Sequence, residues 1–229
     1  MDSWHGEIYE EIEKVAKSSC TVAEGMSVVV AACARHRSHP DWKRFAELDF
    51  LSDLEHLRGW LLNAFSSPPA GEVSGLWFGL FNPVYDGEDA ADIYVSGSPY
   101  DPKDPDWACA VTWKPSGAYA RSRALKAIFD ISYGEDGLSY GNEGLEERGR
   151  RLLMNDGEYP LCLAYGALAV RWLATELEPR VLLGDAAERV LFVGFDSGDL
   201  ICIGGLTSGG LDFSRDSFDY HAAGAGPSE

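Results

Sequence analysis

The sequence predicts an α+β fold: N-terminal helices, then a mainly antiparallel sheet of about five strands packed on a buried helix. Three observations carry this prediction. Residues 1–70 repeat apolar side chains at helical spacing, residues 73–113 switch to short aromatic-rich segments, and residues 161–177 are apolar almost all round. At 229 residues the chain suits one ordinary domain or two small ones. We divide it into a helical part over 1–70, an α+β core over 71–213 and a flexible tail over 214–229.

In the helical part, Ile8, Ile12, Val15 and Ala16 fall at i, i+4, i+7 and i+8 and make one apolar stripe. Residues 18–25 break it. Residues 27–35 read as a second helix because Ala31, Ala32 and Ala34 favour that state. Pro40 punctuates, and Asp41 caps a third helix whose face is Phe45, Leu48, Leu51, Leu54, Leu61 and Phe65. The run Ser66-Ser67-Pro68-Pro69-Ala70-Gly71 ends it and marks the boundary.

Over 73–85, Leu76, Phe78 and Leu80 alternate with Trp77, Gly79 and Phe81, the pattern of a strand covered on both faces. Ile93-Tyr94-Val95 makes a second strand. Residues 108–113 make a third, with Cys109, Val111 and Trp113 on one side, so the three form an antiparallel meander. Helical patterns follow at 121–133 and 142–154, the latter ending in Arg148, Arg150 and Arg151. Beyond Pro160 comes the buried helix, and then strands at 189–196 and 199–204. Asp196-Ser197-Gly198-Asp199 forms the hairpin turn between them. From Gly204 onward the glycine-rich chain reads as mobile.

Charge sets the first functional limits. The chain holds 37 acidic and 19 basic residues, a net of −18, and such a field repels phosphate backbones and anionic lipid. Nucleic acid and membrane are therefore not expected partners. The excess is spread along the chain: −4 over residues 1–70, −8 over 71–160 and −6 over 161–229. It is not one acidic tail. Met1 to Glu13 lacks the basic flank and apolar stretch of a secretory signal, and no run reaches the roughly 18–20 apolar residues of a bilayer span. Cys20, Cys33, Cys109, Cys162 and Cys202 are odd in number, scattered and set among apolar neighbours, which suits buried thiols in a reducing compartment. A cytoplasmic protein is expected, with no disulfide framework.

Three motifs touch on catalysis or cofactors. Gly137-Leu138-Ser139-Tyr140-Gly141 matches G-x-S-x-G, but a polar loop precedes it where a nucleophile elbow needs a strand, and His221 is the one downstream base. His36 and His39, with His56 beyond, lack an acidic partner in any metal signature. The acidic run from Asp86 to Asp92 offers two of the three early acids of a calcium loop and has Ala91 where glycine belongs. Phosphate-cradling glycine patterns are absent. No cofactor or metal is expected.

The densest signal is a mixture of rings and acids. Tyr85, Tyr100 and Trp107 alternate with Asp86, Glu88, Asp89, Asp92, Asp101, Asp104 and Asp106, and Lys103 is the only cation between residues 86 and 106. Aromatic anchors within a charged rim are the composition of an interface, and an acidic rim attracts a basic partner. These ten residues are the candidate partner-binding set. The bland alternative is that the rings face the core and the acids solvate loops.

Phe81-Asn82-Pro83-Val84-Tyr85 with Ala91-Asp92-Ile93-Tyr94-Val95-Ser96-Gly97-Ser98 resembles a motif of uncharacterised bacterial proteins. Gly194-Phe195-Asp196-Ser197-Gly198-Asp199 before an apolar strand is similar to one in small acidic immunity proteins of bacterial toxin systems. The second resemblance implies a protein that binds and neutralises a toxin. The expectation is a non-catalytic module binding a basic protein. Neutralising Asp86, Glu88, Asp89 and Asp92 together should then slow association. The alternative is a hydrolase-type enzyme whose acid and base are carboxylates, such as Asp92 with Asp196 or Asp199. Oligomeric state is not legible.

Overall fold

A computed structural model describes residues 3–69, 72–85, 88–104, 106–134, 145–196 and 199–214. Among these the fold is α+β: a mixed six-stranded sheet carries its helices on one face. The G-x-S-x-G match, His221, Asp86 and the central hairpin residues Ser197 and Gly198 lie outside the described residues.

Helix α1 (Ser3–Ala16) buries the expected stripe of Ile8, Ile12, Val15 and Ala16. Helix α2 (Val22–His36) begins five residues earlier than expected because Thr21 and Glu24 form a capping box: each side chain satisfies the other residue's backbone N–H. The expected third helix is divided. A 3-10 segment (Pro40–Glu47) is capped by His39, and α3 (Phe50–Ala64) starts afresh from Asp49, whose carboxylate accepts from the Ser52 N–H. Leu51 accordingly falls off the apolar face and stands exposed.

The main sheet runs, in spatial order, β5 (Tyr119–Arg121), β4 (Asp92–Ser98), β1 (Gly75–Phe81), β6 (Glu188–Phe195), β7 (Leu200–Thr207) and β8 (Gly210–Asp212). Strand β1 pairs antiparallel with β4 and parallel with β6. Parallel pairing of strands more than a hundred residues apart needs a long crossover, here the helices between them. A short ribbon, β2 (Val84–Tyr85) with β3 (Glu88–Asp89), lies between β1 and β4. The expected third strand at 108–113 is instead a single 3-10 turn at Trp107–Cys109 with one bridge, Gly97 to Trp113. The edge partner of β4 is β5. Part of the stretch read as mobile is ordered: β7 runs past Gly204 and turns into β8.

Strand alternation sorts side chains onto two faces. Leu76, Phe78, Leu80, Ile93, Val95, Leu191 and Val193 join the helices in one apolar core extending from Ile8 to Leu206. At its centre is α6 (Asn155–Glu176), which is buried along most of its length and begins six residues before the expected start. Pro160 lies inside α6, where it lacks the N–H that would otherwise reach the Asp156 carbonyl. The turn into α6 passes through Met154 at φ 51, uncommon for a residue with a Cβ, and the Met154 N–H is tied to the Ser132 carbonyl at 2.7 Å.

Two arginines lock the helical layer. Arg171, in α6, donates to the carbonyls of Val15, Ser18 and Cys20. Arg37 donates to the Gly149, Leu152 and Leu153 carbonyls, closing the C-terminal end of α5 (Leu145–Arg151), and pairs with Asp156 at 2.6 Å. Helix α4 (Arg123–Tyr133) starts at Ser122, whose hydroxyl accepts from the Leu125 N–H and donates to Asp53. Short α7 (Pro179–Leu183) leads into β6. All five cysteines are free; Cys33, Cys162 and Cys202 are buried as expected, whereas Cys109 is exposed. No helix among the described residues is long and apolar enough to cross a membrane.

Candidate functional site

The sheet face turned away from the helices carries an aromatic layer graded from buried to exposed. At its buried end Trp77, Val190, Phe192 and Cys202 form a second small core with Trp107, and Tyr100 packs against it. Tyr100 and Trp107 stand edge-on at 5.1 Å, and both rings contact Phe192, at 4.9 and 4.7 Å. They clamp the 99–113 loop onto the sheet.

Three predicted carboxylates ride on that clamped loop. Asp101, Asp104 and Asp106 are exposed. Asp101 accepts from the Lys103 N–H and Asp104 from the Asp106 N–H, each at 2.9 Å, turns in which the side chain fixes its own loop. Trp107 is 2% exposed, so it supports the loop and is not a surface anchor.

The other predicted residues divide. Asp92 is 2% exposed, and its oxygens accept from the Ser122 N–H at 3.1 Å and the Tyr85 hydroxyl at 2.7 Å. It anchors the start of α4 and does not belong to an exposed rim. Tyr85 is half-buried, with the Arg121 guanidinium 4.0 Å above its ring. Asp89 is half-buried on β3, beside Glu88 on the same strand. The acidic set is thus split between the 88–89 ribbon and the 101–106 loop. Buried Asp53, which no motif flagged, completes the support under α4. It accepts from the Ser122 hydroxyl at 2.6 Å, the Arg123 N–H at 2.7 Å and the Tyr165 hydroxyl at 2.7 Å.

Toward the exposed end, Tyr94 is registered opposite Gly79 on one side and Tyr119 on the other. Its ring lies across Gly79, where a Cβ would come within 2.1 Å of ring carbon Cε1. Gly194, beside Gly79 in the register, is equally closed to a side chain: a Cβ there would meet Trp77 at 2.7 Å and the Asp199 carbonyl oxygen at 1.8 Å. These two glycines clear the lane in which Tyr94 reaches Asp196. The Tyr94 hydroxyl accepts from Trp77 Nε1 at 3.1 Å and donates to Asp196 Oδ1 at 2.6 Å. Burial, and then the hydrogen bond to the Asp196 carboxylate, push the Tyr94 phenol well above its ordinary range, so it remains a donor. Phe81, Tyr94 and Tyr119 surround one another at 5.4–5.8 Å. Lys114 Nζ sits 4.4 Å from the Tyr119 ring centre and donates to the Tyr119 hydroxyl at 2.6 Å.

A separate polar group lies where β1 and β6 end. Glu158, 6% exposed in the first turns of α6, accepts from Asn82 Nδ2 at 3.2 Å. Burial raises its carboxyl pKa, opposed by the Asn82 hydrogen bond. Asp196 follows β6, across β1 from Asp92, so the suggested pair Asp92 and Asp196 has an intervening strand between its members. Asp199 instead interacts with Tyr159, whose ring stacks on Phe195 at 5.4 Å. His39 caps the 3-10 segment, and His36 Nε2 lies 3.3 Å from Glu7. No cluster of three metal-ligating side chains occurs among the described residues.

No protein-family model matches the chain, no curated protein matches it significantly, and no solved structure does so.

Proposed function

We propose that the protein is a non-catalytic module that binds a basic protein partner through the outer face of its sheet, in the manner of an immunity or inhibitor protein. The observation that carries this reading is the clamped loop: Asp101, Asp104 and Asp106 are exposed on a segment held by Tyr100 and Trp107. A fixed acidic loop loses little entropy on docking, and its field steers a cation-rich surface toward the adjacent rings. The net charge of −18 acts in the same direction. Five free thiols fit a reducing compartment, and we place the protein in the cytoplasm. In-cell cross-linking with mass spectrometry tests the reading. The parent should capture a basic protein at one-to-one stoichiometry, and an Asp101→Asn, Asp104→Asn, Asp106→Asn variant should lose it. Equal capture by both would overturn the proposal.

One observation favours the enzymatic alternative. Glu158 is a buried carboxyl with a raised pKa at the carboxyl ends of the parallel pair β1 and β6, a position where α/β sheets commonly hold ligands. On that reading Glu158 is the acid and Asn82 its orienting partner, and Glu158→Gln abolishes turnover in a hydrolase screen while leaving partner capture intact.

A further inference from the structure

Lys114 is an exposed lysine held over rings by its own chain. Its ammonium lies 4.4 Å from the centre of Tyr119 and 5.7 Å from that of Tyr94, and Phe81 closes the third side of the cluster. Cations at such distances from a ring face are attracted by its quadrupole. Beyond the rings stands Asp196, exposed and already oriented by the Tyr94 hydroxyl. Tyr119, at 52% exposed, lies on the edge strand β5, so one wall of the cluster is open to solvent. The Arg121 guanidinium over Tyr85 repeats the pairing on the same strand.

We infer that Phe81, Tyr94 and Tyr119, with Asp196, form a receptor for a single lysine or arginine side chain of a basic protein partner, and that Lys114 is a built-in occupant displaced on docking. The inference rests on the proposed binding of a basic partner and names its anchor. Three features support a cationic occupant over an apolar one. The cluster already holds a cation, its exposed flank is a carboxylate, and the chain as a whole carries a net charge of −18. Charge complementarity selects the partner's chemistry, and the ring geometry selects a side chain with one charged tip. Lys114 keeps the rings from meeting neutral apolar surfaces while no partner is bound.

The test needs no protein partner. Nα-acetyl-arginine amide is titrated into protein carrying ¹³C-labelled tyrosine, with the neutral citrulline analogue as control. The Lys114→Ala variant, its cluster vacated, should show saturable shifts of the Tyr94 and Tyr119 ring signals, about tenfold tighter than in the parent, where Lys114 competes. Asp196→Asn in the Lys114→Ala background should weaken binding, and Tyr119→Ala should abolish it. Tyr119→Phe, which keeps the ring but loses the lysine's hydroxyl partner, should bind at least as well as the parent and serves as the folded control. Absence of saturable shifts in Lys114→Ala, equal binding of citrulline, or indifference to Tyr119→Ala would overturn the inference. Its failure leaves the loop-steered binding standing. Failure of the loop variant to affect partner capture sinks that broader reading without touching the small-cation result.

Discussion

Asp53 is the perturbation whose cost can be worked most directly from the geometry. It is 1% exposed and accepts three hydrogen bonds, from the Ser122 hydroxyl, the Arg123 N–H and the Tyr165 hydroxyl. Hydrogen bonds to a charged acceptor contribute about 1.5–3 kcal/mol each, and desolvation of the charge offsets part of that. Asp53→Ala leaves three donors facing a void, for a net loss of about 3–5 kcal/mol. For a chain of 229 residues that lowers Tm by roughly 6–20 °C. Asp53→Asn is milder. One amide oxygen replaces two carboxylate oxygens, so the amide NH₂ faces either the Arg123 N–H or the two hydroxyls. The hydroxyls can rotate to accept; the N–H cannot. The expected cost is about 1–2 kcal/mol. Urea denaturation followed by tryptophan fluorescence reads both variants, and Tyr165→Phe combined with Asp53→Asn should show coupling above about 0.5 kcal/mol. If Asp53→Ala unfolds within about 0.5 kcal/mol of the parent, or the cycle shows no coupling, the network does not hold α4 in place.

Burial and close packing elsewhere in the fold have further consequences. The carboxyl of Glu158 has its pKa raised in the folded state by burial, so its contribution to stability is fully present below the ordinary carboxylate range and is lost as pH rises through the folded value. Glu158→Gln should therefore gain stability relative to the parent at neutral pH, and the gap should close near pH 4; a pH-independent difference in urea midpoints would contradict the burial argument. Gly79→Ala should cost about 1–3 kcal/mol, because its Cβ would fall 2.1 Å from the Tyr94 ring, and should alter the near-ultraviolet circular dichroism of the aromatic layer. An unchanged spectrum and Tm would mean that Tyr94 does not lie across β1.

Legibility in the sequence tracked the locality of the cause. The α1 stripe, the apolar α6 and the β6–β7 pair were readable because their periodicity reflects burial of the elements themselves. The start of α2 is readable too, since Thr21 and Glu24 have capping-box spacing, although the Ser and Gly residues around them resemble a break. The alternation at 108–113 misled because it reflects no shared buried face: Cys109 and Val111 are exposed, and Trp113 is drawn inward by a tertiary contact with Phe65 at 4.9 Å. Three residues of β5 carry no pattern to detect. In the candidate site the acidity of the 101–106 loop was legible, whereas burial of Asp92 and Trp107 depends on partners remote in sequence, Ser122 and Phe192. Gly79 was the available clue to the Tyr94 cluster. A glycine inside an apolar strand marks the close approach of another group, here a ring two strand positions from Phe81.

The central claim is electrostatic docking of a basic protein on the clamped loop, and its most direct measurement is the association rate of the cross-linked partner against ionic strength. Steered association is fast at low salt and falls steeply as the Debye length shrinks from about 30 Å at 0.01 M to about 3 Å at 1 M. The account predicts an on-rate that drops about tenfold or more across that range for the parent. For the Asp101→Asn, Asp104→Asn, Asp106→Asn variant it predicts a slower rate at low salt with a markedly flatter dependence. Identical salt profiles for the two proteins would contradict it.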